Sequence, residues 1–133
     1  MWYSPEFADG GTDMLRARTA TSGRLRRRAL RSYVAGASFA DVSAVTIGRV
    51  AVSPTDITDS GMPGAPRDHT IAAKSVVLES DDAGTTLRWA ITDETESKVL
   101  LAGLASVPPE QLPLRAGGTL VVPASVIARH LPD

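Results

Sequence analysis

Seven of the fourteen basic residues of this 133-residue chain fall between positions 16 and 31, and no Asp or Glu falls among them. They are Arg16, Arg18, Arg24, Arg26, Arg27, Arg28 and Arg31. The window carries +7; the other seven basic residues, set against all fifteen acidic ones, leave −8 for the rest. Any fold must bring these two blocks together or hand one of them to a partner, because opposite charges of this size attract within one chain or between copies.

The window also holds the clearest helical pattern. Leu25, Ala29, Leu30, Tyr33 and Val34 recur at helical spacing with arginines on the opposite face. Thr21 or Ser22 can cap the start and Gly36 the end, so the spacing predicts a helix over residues 24–35. Residues 1–23 hold Pro5, Gly10-Gly11 and a Thr-Ala-Thr-Ser-Gly stretch, and read as an extended arm that a neighbouring subunit would order.

After Gly36 the period becomes that of strands. Ala44–Val52 is the first, with Val45, Ile47 and Val50 as candidate core, and Ser53-Pro54-Thr55-Asp56 breaks it. Residues 53–68, rich in Pro and Gly, read as a long surface loop. His69–Glu79 is a second strand, followed by a turn at Asp81-Asp82-Ala83-Gly84. In Thr85–Thr92, Leu87, Trp89 and Ile91 share one face; Asp93–Ser97 turns the chain and Lys98–Leu104 returns as the hairpin partner. Pro108-Pro109 and Pro113 mark another loop, Thr119–Val122 a further strand, and Ser125–Leu131 fits strand or helix. The expected fold is mainly β: one antiparallel sandwich or barrel over residues 24–133, opening with a short helix and preceded by the arm at 1–23.

The search for chemistry excludes more than it finds. There is no cysteine, hence no disulfide and no thiolate metal site. His69 and His130 have no third ligand at metal spacing, and read as surface or interface histidines. No nucleophile elbow, phosphate-binding loop or dinucleotide fingerprint is present. The acidic pairs Asp81-Asp82 and Asp93-Glu94 fall in turns, where Asp is favoured for backbone reasons; the Asp56–Asp59 stretch is similar. We expect no enzyme, cofactor, metal or small-molecule substrate. No apolar run is long enough to span a membrane, and Met1–Glu6 lacks the basic and apolar regions of a signal peptide. The seven arginines are the candidate contact residues. Against the plain reading of a solvated helix face stands their lack of interleaved acid, which favours contact with a polyanion. An acidic protein surface fits better than DNA, since no helix-turn-helix partner or base-reading motif accompanies them.

The order of segments resembles that of small phage structural proteins described as tail-fibre-like or minor tail proteins. Leu30–Gly36 is similar to that family's short helix and its glycine end, and Val45–Val52 with Ser53-Pro54-Thr55-Asp56 to its first strand and loop. Trp89–Asp93, Val99–Leu104 and Gly117–Ala124 are similar to its later strand, return strand and closing motif. The likeness covers about residues 29–131. Gly118 and Ser125 stand where the family often has Asp and Gly, and the segment before residue 24 has no counterpart in it. The resemblance implies a non-catalytic virion component of the tail, tail tip or neck, made in the host cytoplasm and partnered by other virion proteins and by copies of itself. A head decoration or fibre protein, or a DNA-binding protein using the arginine-rich helix, are the alternatives. Gly118–Ile127 also resembles the swapped-hairpin DNA-binding fold of transition-state regulators, which needs a further strand after its helix.

Overall fold

The computed structural model describes residues 1–60, 67–82, 86–106 and 114–130. The chain is mainly β, with antiparallel sheets and one main helix near the N-terminus. Strand β1 (Trp2–Tyr3) leads into helix α1 (Pro5–Thr19). Then come β2 (Leu25–Leu30), the short helix α2 (Phe39–Ala44), β3 (Thr46–Ala51) and a 3-10 turn at Pro54–Asp56. Strands β4 (Ile57–Ser60), β5 (Arg67–Ile71), β6 (Lys74–Val77), β7 (Thr86–Asp93), β8 (Lys98–Ser106), β9 (Thr119–Val122) and β10 (Ser125–His130) follow.

Two expectations fail here, for related reasons. Residues 1–23 are no extended arm: α1 occupies residues 5–19. Its signals are all local. The Ser4 hydroxyl accepts from the Phe7 amide, Pro5 opens the first turn, Glu6 lies near the positive end of the helix, and Arg16 and Arg18 lie near its negative end. The Gly10-Gly11 pair kinks the helix without ending it. Gly11 has φ +59°, which costs little without a Cβ. Phe7 and Leu15 are buried in the main core, so the chain orders this segment itself.

The helix expected over 24–35 is instead a central strand. β2 lies between β3 and β7 in a five-stranded sheet of order β1-β8-β7-β2-β3. Read with period two, Leu25, Arg27 and Ala29 face one way, and Arg26, Arg28 and Leu30 the other. Residues beyond Leu30 form a loop in which Gly36 has φ +79°. Helical spacing and strand alternation both fit so short an apolar set, and pairing on both edges decides between them.

Elsewhere the expected strands at 44–52, 85–92, 98–104 and 119–122 appear as β3, β7, β8 and β9. The final segment resolves as strand β10. The expected strand at 69–79 divides at Ala72-Ala73 into β5 and β6, which enter different sheets. The long loop over 53–68 is interrupted by β4, whose Ile57 is buried. The loop around Pro108, Pro109 and Pro113, the Ala83-Gly84 part of the turn and the side chains of Leu87 and His130 lie outside the described residues.

The five-stranded sheet has two unlike faces. One carries Leu25, Ala29, Ile47, Trp89, Ile91 and Leu101. Against it pack α1 and two smaller sheets, β10-β5-β4 and β6-β9. These sheets contribute Ile57, Ile71 and Ile127, and Val76, Leu120 and Val122. Packing is tight at Trp89: a Cβ on Gly103, its cross-strand partner, would lie 2.6 Å from the indole ring. No closed barrel forms among the described residues. The second face holds a smaller cluster of Leu30, Val42, Ala90, Val99 and Ala102, covered by α2, Trp2, Tyr33 and Phe39.

Candidate assembly surface

The seven arginines are spent inside the chain. Arg16 pairs with Asp13 and with Asp59. Arg18 reaches Glu6, Asp93 and Glu96 from the end of α1, and Arg24 reaches Asp93 and Glu96 from the start of β2. Asp93 closes β7 with no exposed surface, and its other oxygen accepts the amides of Thr95 and Glu96, which shapes the β7–β8 turn. Burial works against the Asp93 charge, but these amides and the two guanidiniums outweigh it and hold its carboxyl below the ordinary range. Lys98 extends the network to Glu6 and Glu96. The acids of the expected turn therefore serve as the counter-charge of the arginine window.

Arg26 and Arg28 both meet Glu94, at 3.5 and 2.6 Å. Arg28 also donates to Thr92 and Thr46, each at 3.1 Å, and lies over the Phe39 ring. Arg31 donates to the Ser80 hydroxyl. Like Arg31, Arg27 meets no carboxylate directly, but it is fully buried. Its guanidinium lies 4.6 Å from the Trp89 ring centroid and donates to the carbonyls of Ala72 and Pro123 and the hydroxyl of Ser125. Those acceptors lie where β5 passes to β6 and β9 to β10, so one side chain ties the large sheet to both small ones. Burial lowers its pKa to about 10, against the attraction of Asp56, and it stays charged at neutral pH.

The expected contact surface is thus a set of internal ties, and the −8 remainder of the chain supplies the acidic partner that a neighbouring subunit was expected to provide.

One other polar group merits a chemical test. Thr12 Oγ1 lies 3.1 Å and Asp59 Oδ1 2.7 Å from His69 Nδ1. A nucleophile–base–acid relay uses both ring nitrogens, one toward each partner. Here the hydroxyl and the carboxylate compete for the same nitrogen, and Thr12 is buried. The trio pins α1 to the β4–β5 hairpin. No cluster of three metal-ligating side chains occurs among the described residues.

What remains open is the part of the second face of the large sheet that α2 and Phe39 leave uncovered. Cross-strand partners there form two rows, Trp2–Ala102–Ala90–Arg28 and Leu104–Arg88–Leu30. Trp2 lies beside Tyr33, ring centroids 6.5 Å apart. Around them Val34 is 76% exposed, Leu104 62% and Met1 57%. A hollow of about 420 Å³ lies among Met1, Trp2, Tyr33, Arg88 and Leu104. A smaller one of about 160 Å³ lies among Tyr33, Val34, Asp41 and Val45. Arg88 makes no ion pair with any described residue, and its Nη1 is buried without a hydrogen-bond partner. None of these residues stands out in the sequence as a contact residue. The available signal is Arg88's place between Leu87 and Trp89, which puts it opposite the core. Comparison with protein-family models, curated proteins and solved structures finds no match.

Proposed function

We propose that the chain is a non-catalytic structural component of a phage particle, acting at the tail, tail tip or neck through protein–protein contacts. The observation that carries this reading is the second face of the large sheet. Exposed Val34, Leu104 and Met1, with two hollows and an Arg88 that has no ion pair among the described residues, form an apolar surface with a polar anchor. Such surfaces mark protein contacts, and an arginine set among apolar and aromatic residues is a common anchor of them. The resemblance of the segment order to small phage structural proteins supplies the particle context, apart from Leu30–Gly36, which is strand end and loop where that family has a short helix. The internal pairing of five of the seven window arginines favours protein contact over nucleic acid, since phosphate binding needs guanidiniums free of carboxylates.

The test is the protein content of purified particles. Mass spectrometry of particles from cells expressing the chain should find it in fixed proportion to the other particle proteins. A chain present in the cell lysate and absent from the particles overturns the reading.

A further inference from the structure

We propose that the second face of the large sheet docks on the same face of a second copy of this chain, as a two-fold dimer centred on Tyr33 and Val34. The inference deepens the assembly reading above by naming the occupant of that surface.

Tyr33 is common to the two hollows. The larger continues from it to Arg88 and Leu104, and the smaller to Asp41 and Val45. The surface therefore has an apolar centre, a cation on one flank and an anion on the other. Arg88 and Asp41 share one property: neither side chain forms an ion pair with a described residue. Five of the seven window arginines, by contrast, are ion-paired within the chain.

A two-fold axis through the centre exchanges the flanks. Arg88 of one copy then faces Asp41 of the other, twice, while Val34 packs against its counterpart and Leu104 against the smaller hollow of the other copy. Self-complementarity of this kind is what an isologous contact requires. A cation on one side of an apolar patch and an anion on the other meet it; two like charges would not. The contact would also give the half-buried Arg88 a partner, in an environment where a charged pair is favoured once water is excluded.

The geometry sets a test that folding damage cannot imitate. In Arg88→Asp, both contacts become Asp against Asp. In Asp41→Arg, both become Arg against Arg. In an equimolar mixture of the two variants, each heterodimer contact again joins opposite charges. Sedimentation equilibrium over a concentration series should find the wild-type chain dimeric. Each variant alone should dimerise at least about tenfold more weakly, and the mixture should regain wild-type association. Thermal unfolding at low concentration should leave both variants with the wild-type midpoint. The proposal is overturned if the wild-type chain stays monomeric throughout, if either variant associates as the wild type does, or if mixing restores nothing. A monomer that is nevertheless found in particles keeps the assembly reading and removes the dimer; a dimer absent from particles does the reverse.

Discussion

The two faces of the large sheet treat arginine in opposite ways. On the closed face, Arg27 is buried under Trp89, and its guanidinium holds the carbonyls of Ala72 and Pro123. On the open face, Arg88 lies between Leu104 and Leu30 with one buried nitrogen unpaired. Burying a cation is costly wherever it happens. The closed face offsets most of that cost with oriented backbone acceptors, although Arg27 Nε is itself buried without a partner. The open face leaves it standing. A chain that gives one guanidinium three acceptors and an indole face, and leaves the other without an ion pair among the described residues, separates the work of holding the fold from the work of presenting a surface.

The largest expected effect lies on the closed face. Arg27→Ala removes the stack on Trp89, leaves two carbonyls and the Ser125 hydroxyl without their donor, and opens a void where three sheets meet. We expect a loss of about 3–5 kcal/mol, read from urea unfolding monitored by far-ultraviolet circular dichroism. A loss under about 1 kcal/mol would mean that water replaces the guanidinium without cost, and the distinction between the faces would fail.

Asp93 comes next. Asp93→Asn keeps an acceptor for the turn amides but removes the charge facing Arg18 and Arg24. The expected loss is about 2 kcal/mol at neutral pH, in line with hydrogen bonds between charged groups. The pH dependence follows from its lowered pKa, which Asp59 shares: there too burial opposes the charge, and Arg16 and His69 outweigh it. A carboxyl whose pKa is lower in the folded state contributes its full stability above the unfolded value, near pH 4, and loses it as pH falls through the folded value. Acid unfolding below about pH 4 should therefore be shallower in Asp93→Asn than in the wild type, while the neutral-pH stability is lower. Parallel pH profiles would separate Asp93 from the acid transition.

How far the sequence disclosed this arrangement depends on the range of the deciding interaction. Strands β3, β7 and β8 were legible because alternation and turn residues act locally, as with Trp89 and Ile91 set against Asp93–Ser97. The helix α1 was also written locally, in Ser4, Pro5 and Glu6, but Gly10-Gly11 reads as a break unless a kink at positive φ is allowed. The strand β2 was not legible. An arginine at an interior strand position contradicts ordinary patterning, and what permits Arg27 there lies 45 and 96 residues away, at Ala72 and Pro123. The charge imbalance itself was plain. That Asp93, Glu94 and Glu96 would answer it depended on the antiparallel pairing of β2 with β7. Arg88 carries no local signal, because an outward-facing charge on a strand ordinarily meets water, and only the placement of Trp2, Tyr33 and Leu104 around it shields its Nη1.

The smallest effect on stability sharpens the comparison most, because its sign differs from that of its counterpart. Arg88→Met keeps a long, flexible stem against Met1, Leu104 and Leu30 and deletes the unpaired nitrogen. Removing a buried donor that bonds to nothing does not break a tie, so the folded monomer should be unchanged or more stable by up to about 1 kcal/mol. The same exchange at Arg27 would strand its acceptors and destabilise. If Arg88→Met instead costs more than about 1 kcal/mol in urea unfolding of dilute protein, then Arg88 supports the monomer and the open face is part of the scaffold. If stability holds while self-association falls, the residue belongs to the surface. Its unpaired nitrogen is then a cost that the monomer carries and that docking removes.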